Sequence, residues 1–314
     1  MRELRILFMG TPDFAVKTLK SIQENFEVCG VVTAPDKPAG RGRKLNKSAV
    51  KVYAEANNLK ILQPTNLKSE KFQNELKCLN PNLIVVVAFR MLPKQVWNFP
   101  KYGTFNIHAS LLPEYRGAAP INWAVINGEH KTGVTSFFID DKIDTGEIIK
   151  QKEILISKDD TAGSLHDKLM HLGAELAVET CKAIQSKQDR TTKQPELNPK
   201  QAPKLTKENT QIDWNKPSED IINLVKGLNP YPISWTIFNE DGNEKSVKIL
   251  ELSKSDEIIK AVPGEVILNK KQFLVKTKDH WVEIKKLKYP GKKALHIKDF
   301  LNGYNSPDQL KLNA

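Results

Sequence analysis

Two rhythms of apolar and polar residues share the first 186 positions. "LRILFM" (4–9), "VCGVVT" (28–33), "LKILQP" (59–64) and "PNLIVVVAF" (81–89) are short, nearly unbroken apolar runs of the length of buried strands. Between them the spacing switches to that of helices. Thr11 to Asn25 forms one, with Pro12 in its first turn, and "AVKVYAEANN" (49–58) another. "SEKFQNELKCL" (69–79) is a third, with Ser69 placed to cap it. "YGTFNIH" (102–108) is a further strand, and "GVTSFFID" (133–140) with "GEIIKQKEILI" (146–156) form a pair joined by a loop. The longest helical pattern covers 161–185, opens with Thr161 or a neighbouring Asp as cap, and sets Leu165, Leu169, Leu172 and Leu176 on one face. Strands alternating with helices predict a doubly wound, Rossmann-like α/β domain with a mostly parallel sheet over residues 1–186.

The rhythm breaks at residues 187–206, which hold three prolines and no apolar period, as a linker does. Beyond it, a short helix (218–228) leads to brief strands around 235–239, 246–252, 264–269, 272–277 and 280–288. That pattern predicts a small, OB-like β-barrel over 207–314. Phe273 and Trp281 are candidates either for its core or for its surface, and Lys276 and Lys278 are expected to share one strand face.

Charge sharpens this division. The chain of 314 residues has 48 Lys and Arg against 37 Asp and Glu, a net +11. Residues 34–51 carry +5, residues 187–206 carry +3 and residues 207–314 carry +3, so the remaining body is neutral. A positive excess confined to one loop, one connector and the C-terminal part suits a polyanionic partner held by those segments. No apolar run reaches the roughly 20 residues of a membrane span, and the opening "MRELRILFMG" moves straight into a strand, without the pattern of a signal peptide. The three cysteines are far apart, so the expected setting is a reducing cytoplasm.

The chemistry concentrates in "GTFNIHASLLPEYRGAAP" (103–120). Asn106 and His108, two apart on a strand, point to the same face. Gly10 stands alone where a dinucleotide fold would place three glycines, and no phosphate loop or metal-ligand spacing is present, so no metal is expected. The best carboxylate partner is Asp144, followed by the turn-forming Thr145 and Gly146. An amide, an imidazole and a carboxylate suit a reaction through a tetrahedral oxyanion, with the amide donating to it and the imidazole exchanging a proton. No Ser or Cys is set as a nucleophile, which favours direct transfer.

"NIHASLLPEYRGAAPINWA" together with "DTGEII" resembles the signature of the folate-dependent formyltransferases. "MGTPDFA" (9–15), "APDKPAGRGRKL" (34–45), "IDW" (212–214) and "LNPYPISW" (228–235) resemble the branch that formylates methionine on initiator tRNA. The resemblance implies Asn106, His108 and Asp144 as catalytic residues. It implies 10-formyltetrahydrofolate as co-substrate, with Ser110, Leu111, Leu112 and Pro113 in its site. Phe89 and Arg90 stand close to the expected folate pocket, and Arg90 departs from the glycine usual there. Initiator Met-tRNA is the implied partner, met by Arg41, Arg43 and Lys44 in a glycine-bearing loop; the absence of an obvious apolar surface stripe favours a monomer. An acceptor of another kind, a nucleotide-linked amino sugar or small amine, fits the catalytic trio but not the location of the charge.

Overall fold

In the computed structural model, which describes residues 1–39, 44–195, 198–304 and 310–312, the apolar runs become strands and the 3.6-period stretches become helices. Two units separate. One comprises Met1–Gly117, Lys131–Leu155 and His166–Gln201; the other comprises Ala118–His130, Ile156–Leu165 and Ala202–Ala314. Among the described residues no helix is long and apolar enough to cross a membrane.

The first unit is built on seven strands: β1 (Arg5–Gly10), β2 (Glu27–Val32), β3 (Ile61–Leu62), β4 (Leu83–Val87), β5 (Thr104–His108), β6 (Lys131–Phe138) and β7 (Ile148–Leu155). Their order is β7-β6-β5-β4-β1-β2-β3. β1 runs parallel to β2 and β4, and β4 to β5, whereas β6 is antiparallel to both β5 and β7. The sequence explains the placement. β4, "LIVVV", is buried throughout, as a central parallel strand covered on both faces must be. β3 is only two residues long, and β7 exposes Lys150, Gln151 and Glu153, so these two form the edges.

Helices α1 (Asp13–Gln23), α2 (Ala49–Ala56), α3 (Glu70–Leu79) and α4 (Ala162–Gln185) follow the predicted positions. Ser69 caps α3, its Oγ accepting from Phe72 N at 3.4 Å, and Ser48 caps α2 in the same way from Lys51 N at 3.0 Å. In α4, Leu165, Leu169 and Leu176 are buried while Leu172 keeps part of its surface exposed. A Cβ at Gly173 would stand 3.2 Å from Ile107 Cγ2, so α4 lies hard against that face of β5. Strand alternation then turns Asn106 and His108 to the opposite face, away from the helix.

The second unit carries β8 (Ser234–Glu240), β9 (Asn243–Ser255), β10 (Val266–Leu268), β11 (Phe273–Lys276), β12 (Trp281–Lys288), β13 (Leu295–His296) and β14 (Leu310–Leu312). They form an antiparallel sheet in the order β10-β11-β12-β9-β8-β14, with β13 beside β12. Leu312 N donates to Gly264 O, just ahead of β10, and brings the two ends of the sheet together as a nearly closed barrel. α5 (Ser218–Gly227) packs its apolar face into the same core as Trp214, Phe238 and Phe273. Both undecided aromatics are interior: Phe273 and Trp281 are buried, and the Trp281 indole N–H is satisfied by Ile259 O at 2.8 Å. Glu240 joins the barrel wall by accepting from Lys245 Nζ and from the hydroxyls of Tyr289 and Tyr304. Burial pushes the Glu240 carboxyl up, but these three bonds together hold it below the usual carboxylate range.

The lysine reading needs a correction. β11 ends at Lys276, and Lys278 lies in the following turn, its N–H donating to Lys216 O. The two do not share a strand face, because the chain reverses at Thr277–His280 around Asp279.

Candidate functional site

β5 sits between β4 and β6 with its carboxyl end open to the loops that follow. Asn106 lies opposite Val86 and Phe137, and His108 lies opposite Thr135. His108 is buried, and its Nε2 is 2.8 Å from Tyr115 O. A carbonyl can only accept, so Nε2 carries a proton and the ring presents Nδ1 as its variable atom. Asp144 Oδ2 lies 3.8 Å from Nδ1, beyond a direct hydrogen bond but close enough for strong attraction to a protonated ring in this shielded position. That carboxylate oxygen accepts from Gly117 N at 2.9 Å, so the backbone after the "SLLP" turn fixes it. The Phe137 ring meets the imidazole edge-on at 6.5 Å.

Asn106 completes the group. Its Oδ1 is buried and has no hydrogen-bond partner among the described residues. Leaving a buried acceptor unmet costs about 1–3 kcal/mol, a cost that a ligand N–H would remove. The trio read from sequence is thus brought to one place, and its amide is the member left open.

The loop that delivers Asp144 is tightly determined. Asp144 itself has φ 56°, the left-handed region that Asp tolerates better than most residues. Thr145 Oγ1 lies 2.8 and 3.0 Å from the two carboxylate oxygens of Asp140. A Cβ at Gly146 would fall 1.6 Å from Phe138 O, so only glycine lets the loop fold back onto the end of β6.

The "SLLP" turn is organised from behind by Thr135, which sequence reasoning missed. Thr135 Oγ1 donates to Ser110 O at 2.6 Å and accepts from Leu112 N at 3.1 Å. Gln151 Nε2 reaches both Thr135 Oγ1 and Leu112 O at 2.9 Å. Ser110 and Leu112 are buried, the Ser110 hydroxyl being spent on Glu114 O, while Leu111 and Pro113 keep accessible surface. Thr135→Val, which deletes three hydrogen bonds in a buried place, is expected to lower stability by about 2 kcal/mol in urea unfolding.

Phe89 is half-buried against the first unit's core. Arg90 is exposed, donates to Pro64 O and Thr65 O at 2.5 and 2.8 Å, and lies 5.7 Å from the Phe89 ring centre. Arg41 and Arg43 fall outside the described residues. Lys44 opens a short strand, Lys44–Asn46, that pairs with Lys37–Ala39. Tyr115, Gly117, Gln151 and Gln194 also serve the site and were not found from sequence. Their contributions run through main-chain atoms, or through amides bonded to distant main chain, and neither leaves a local pattern.

Comparison with known proteins supplies the wider setting. Residues 4–181 match the family described as formyl transferase, and residues 204–305 match the formyl transferase C-terminal domain. A protein of Flavobacterium johnsoniae named methionyl-tRNA formyltransferase is 53% identical over 314 residues, covering 99% of this chain and 100% of its own. One of the same name from Bacteroides fragilis is 46% identical over 319 residues, with 99% and 98% covered. Among solved structures, WlaRD, a sugar 3N-formyl transferase crystallised with dTDP and 5-N-formyl-THF, aligns with a TM-score of 0.67 at 22% identity. The alignment takes in 93% of this chain and 100% of that one. HypX from Aquifex aeolicus in complex with tetrahydrofolic acid aligns at 0.64 and 19% identity, over 100% of this chain and 51% of its own.

Proposed function

The chain belongs to the formyl transferase family, and we infer that it moves the formyl group of 10-formyltetrahydrofolate onto the α-amino group of methionine carried by initiator tRNA. The observation that carries the transfer step is the buried His108–Asp144 pair beside the unpartnered Asn106 Oδ1. The acceptor is supported by the name shared by relatives that match almost end to end.

The residues present suit the donor: a polar trio at the open end of a strand, one of whose buried atoms lacks a partner among the described residues, beside the accessible Leu111 and Pro113. When bound, the folate supplies a formyl carbon open to attack by an amine and a nitrogen that can leave. Asn106 would steady the negative charge that develops on the carbonyl oxygen, with its amide N–H. Because the Nε2 proton is held by Tyr115 O, proton movement is assigned to Nδ1 of His108. Asp144 offers its negative charge, 3.8 Å away, to the imidazolium formed as that proton arrives. No step needs a covalent link to the protein.

Residues 1–186 would hold this chemistry, and the barrel of 207–314, reached through 187–206, would hold tRNA in the cytoplasm. Arg41, Arg43 and Lys44 are assigned to the tRNA near the amino acid, where arginine's planar fork suits phosphate and base edges. The lysines of the barrel supply salt-sensitive backbone contacts.

The test is transfer of labelled formyl to initiator Met-tRNA, elongator Met-tRNA and a nucleotide-linked amino sugar in parallel. Transfer to the initiator alone is the expected result. Transfer to the sugar, with neither tRNA modified, would reject the acceptor assigned here while leaving the chemistry standing.

A further inference from the structure

The stretch between the two matched family segments was read above as a connector, yet it grips the main chain around both His108 and Asp144. Gln194 Nε2 donates to Asp144 O at 2.9 Å and to Gly146 O at 2.8 Å. Its Oε1 accepts from Arg116 Nε at 3.1 Å and Nη2 at 2.5 Å. Both amide hydrogens and the carbonyl oxygen are therefore engaged, and one side chain ties the Asp144 loop to the residue beside Gly117, whose N–H holds the Asp144 carboxylate.

The neighbours of Gln194 act alike. Thr192 and Ile148 exchange N–H and C=O bonds at 2.9 Å each, and Thr191 Oγ1 reaches Glu147 Oε2 at 2.5 Å. Lys200 O accepts from Tyr115 N at 2.6 Å, and Lys200 N donates to Glu114 Oε2 at 2.9 Å. Tyr115 is the residue whose carbonyl receives the His108 Nε2 proton. Pro195 follows Gln194 and restricts it to extended backbone, which presets the direction of the side chain. A connector serving only to span two units would leave these polar groups to water.

We propose that residues 191–195 and 198–201 form a positioning strap for the transfer reaction, with Gln194 as its principal side chain. It sets the distance between His108 and Asp144 without touching substrate. The proposal rests on the function inferred above.

The test uses the full-length protein and two variants. Gln194→Met keeps the length but none of the bonds. Gln194→Glu keeps acceptors for Arg116 and loses both donors. A misplacement of about 1 Å in a catalytic group costs up to a hundredfold in rate, and partial slackening is expected to lower kcat about tenfold in both variants. KM for folate and for tRNA should stay within twofold. Hydrogen exchange over 138–148, which includes the Ile148 amide bonded to Thr192, should accelerate while exchange in β1 and β4 stays unchanged.

A Gln194→Met enzyme with kcat within twofold of the parent, alongside an inactive His108→Ala, would overturn the strap and leave the function standing. Faster exchange throughout the sheet with kcat and KM moving together would make Gln194 a general stabilising residue and also overturn it. If the parent itself formylates no acceptor, the functional reading falls and the exchange result alone decides. Unchanged exchange over 138–148 then rejects the strap as well, and local acceleration leaves a structural strap while its role in transfer is overturned.

Discussion

His108→Ala lowers kcat for formyl transfer by about a hundredfold to ten-thousandfold, the range expected when proton transfer and oxyanion support are lost together. The size of the loss follows from what the ring does at each nitrogen. Its Nε2 is committed to Tyr115 O, so the imidazole has one orientation, and its Nδ1 lies 3.8 Å from Asp144 Oδ2. Alanine would remove the group assigned to carry the proton and leave the Asp144 carboxylate without the imidazole it faces. The remaining rate comes from holding the two substrates together and from Asn106. Single-turnover transfer checks this, with folate affinity measured separately by calorimetry. Near-normal turnover would take His108 out of the mechanism. The His108→Ala protein should remain folded, since Ile107 and Phe105 on the opposite face still pack into the core.

The second large effect is expected from a single methyl group. Gly146→Ala places a Cβ 1.6 Å from Phe138 O, a backbone atom that cannot swing aside as a side chain would. The loop from Asp140 to Glu147 must move, and with it Asp144 and the two carbonyls bound by Gln194. Forced overpacking of this kind costs about 3 kcal/mol, and activity should fall below a tenth of the parent. Gly303→Ala is the matched control: its added Cβ meets nothing within 4 Å and its backbone φ is −122°, so a change within ~0.5 kcal/mol is expected. Chemical denaturation of both variants makes the comparison. A Gly146→Ala protein as stable and active as the parent would show that the loop is free to relax, and would remove the steric account of its shape.

Much of this was legible because the signals are local. "LIVVV" announces a buried strand by composition, and Ser69 announces a helix start by the hydroxyl it places before the first turn. Asn106 and His108 stand out because polar residues two apart on an apolar strand must share a face. What stayed hidden depends on atoms far away in sequence. Nothing in "TTKQPEL" says that Gln194 will meet carbonyls 48 and 50 residues earlier. Thr135 looks like one more β-branched strand residue until the "SLLP" turn folds over its hydroxyl. Lys278 was misplaced for the opposite reason: alternation was extended two residues past the strand's end at Lys276, where Asp279 turns the chain.

The edges of the first sheet bear on how the protein behaves when crowded. β3 offers an incoming strand only two residues of backbone. On the other side Thr192 already occupies the start of β7, and Lys150, Lys152 and Glu153 line the rest with charge. A second molecule thus finds no long, bare ribbon to extend. Growth of this sheet from its described edges must wait for the chain to open, which ties that route of self-association in a concentrated solution to the stability of the fold itself.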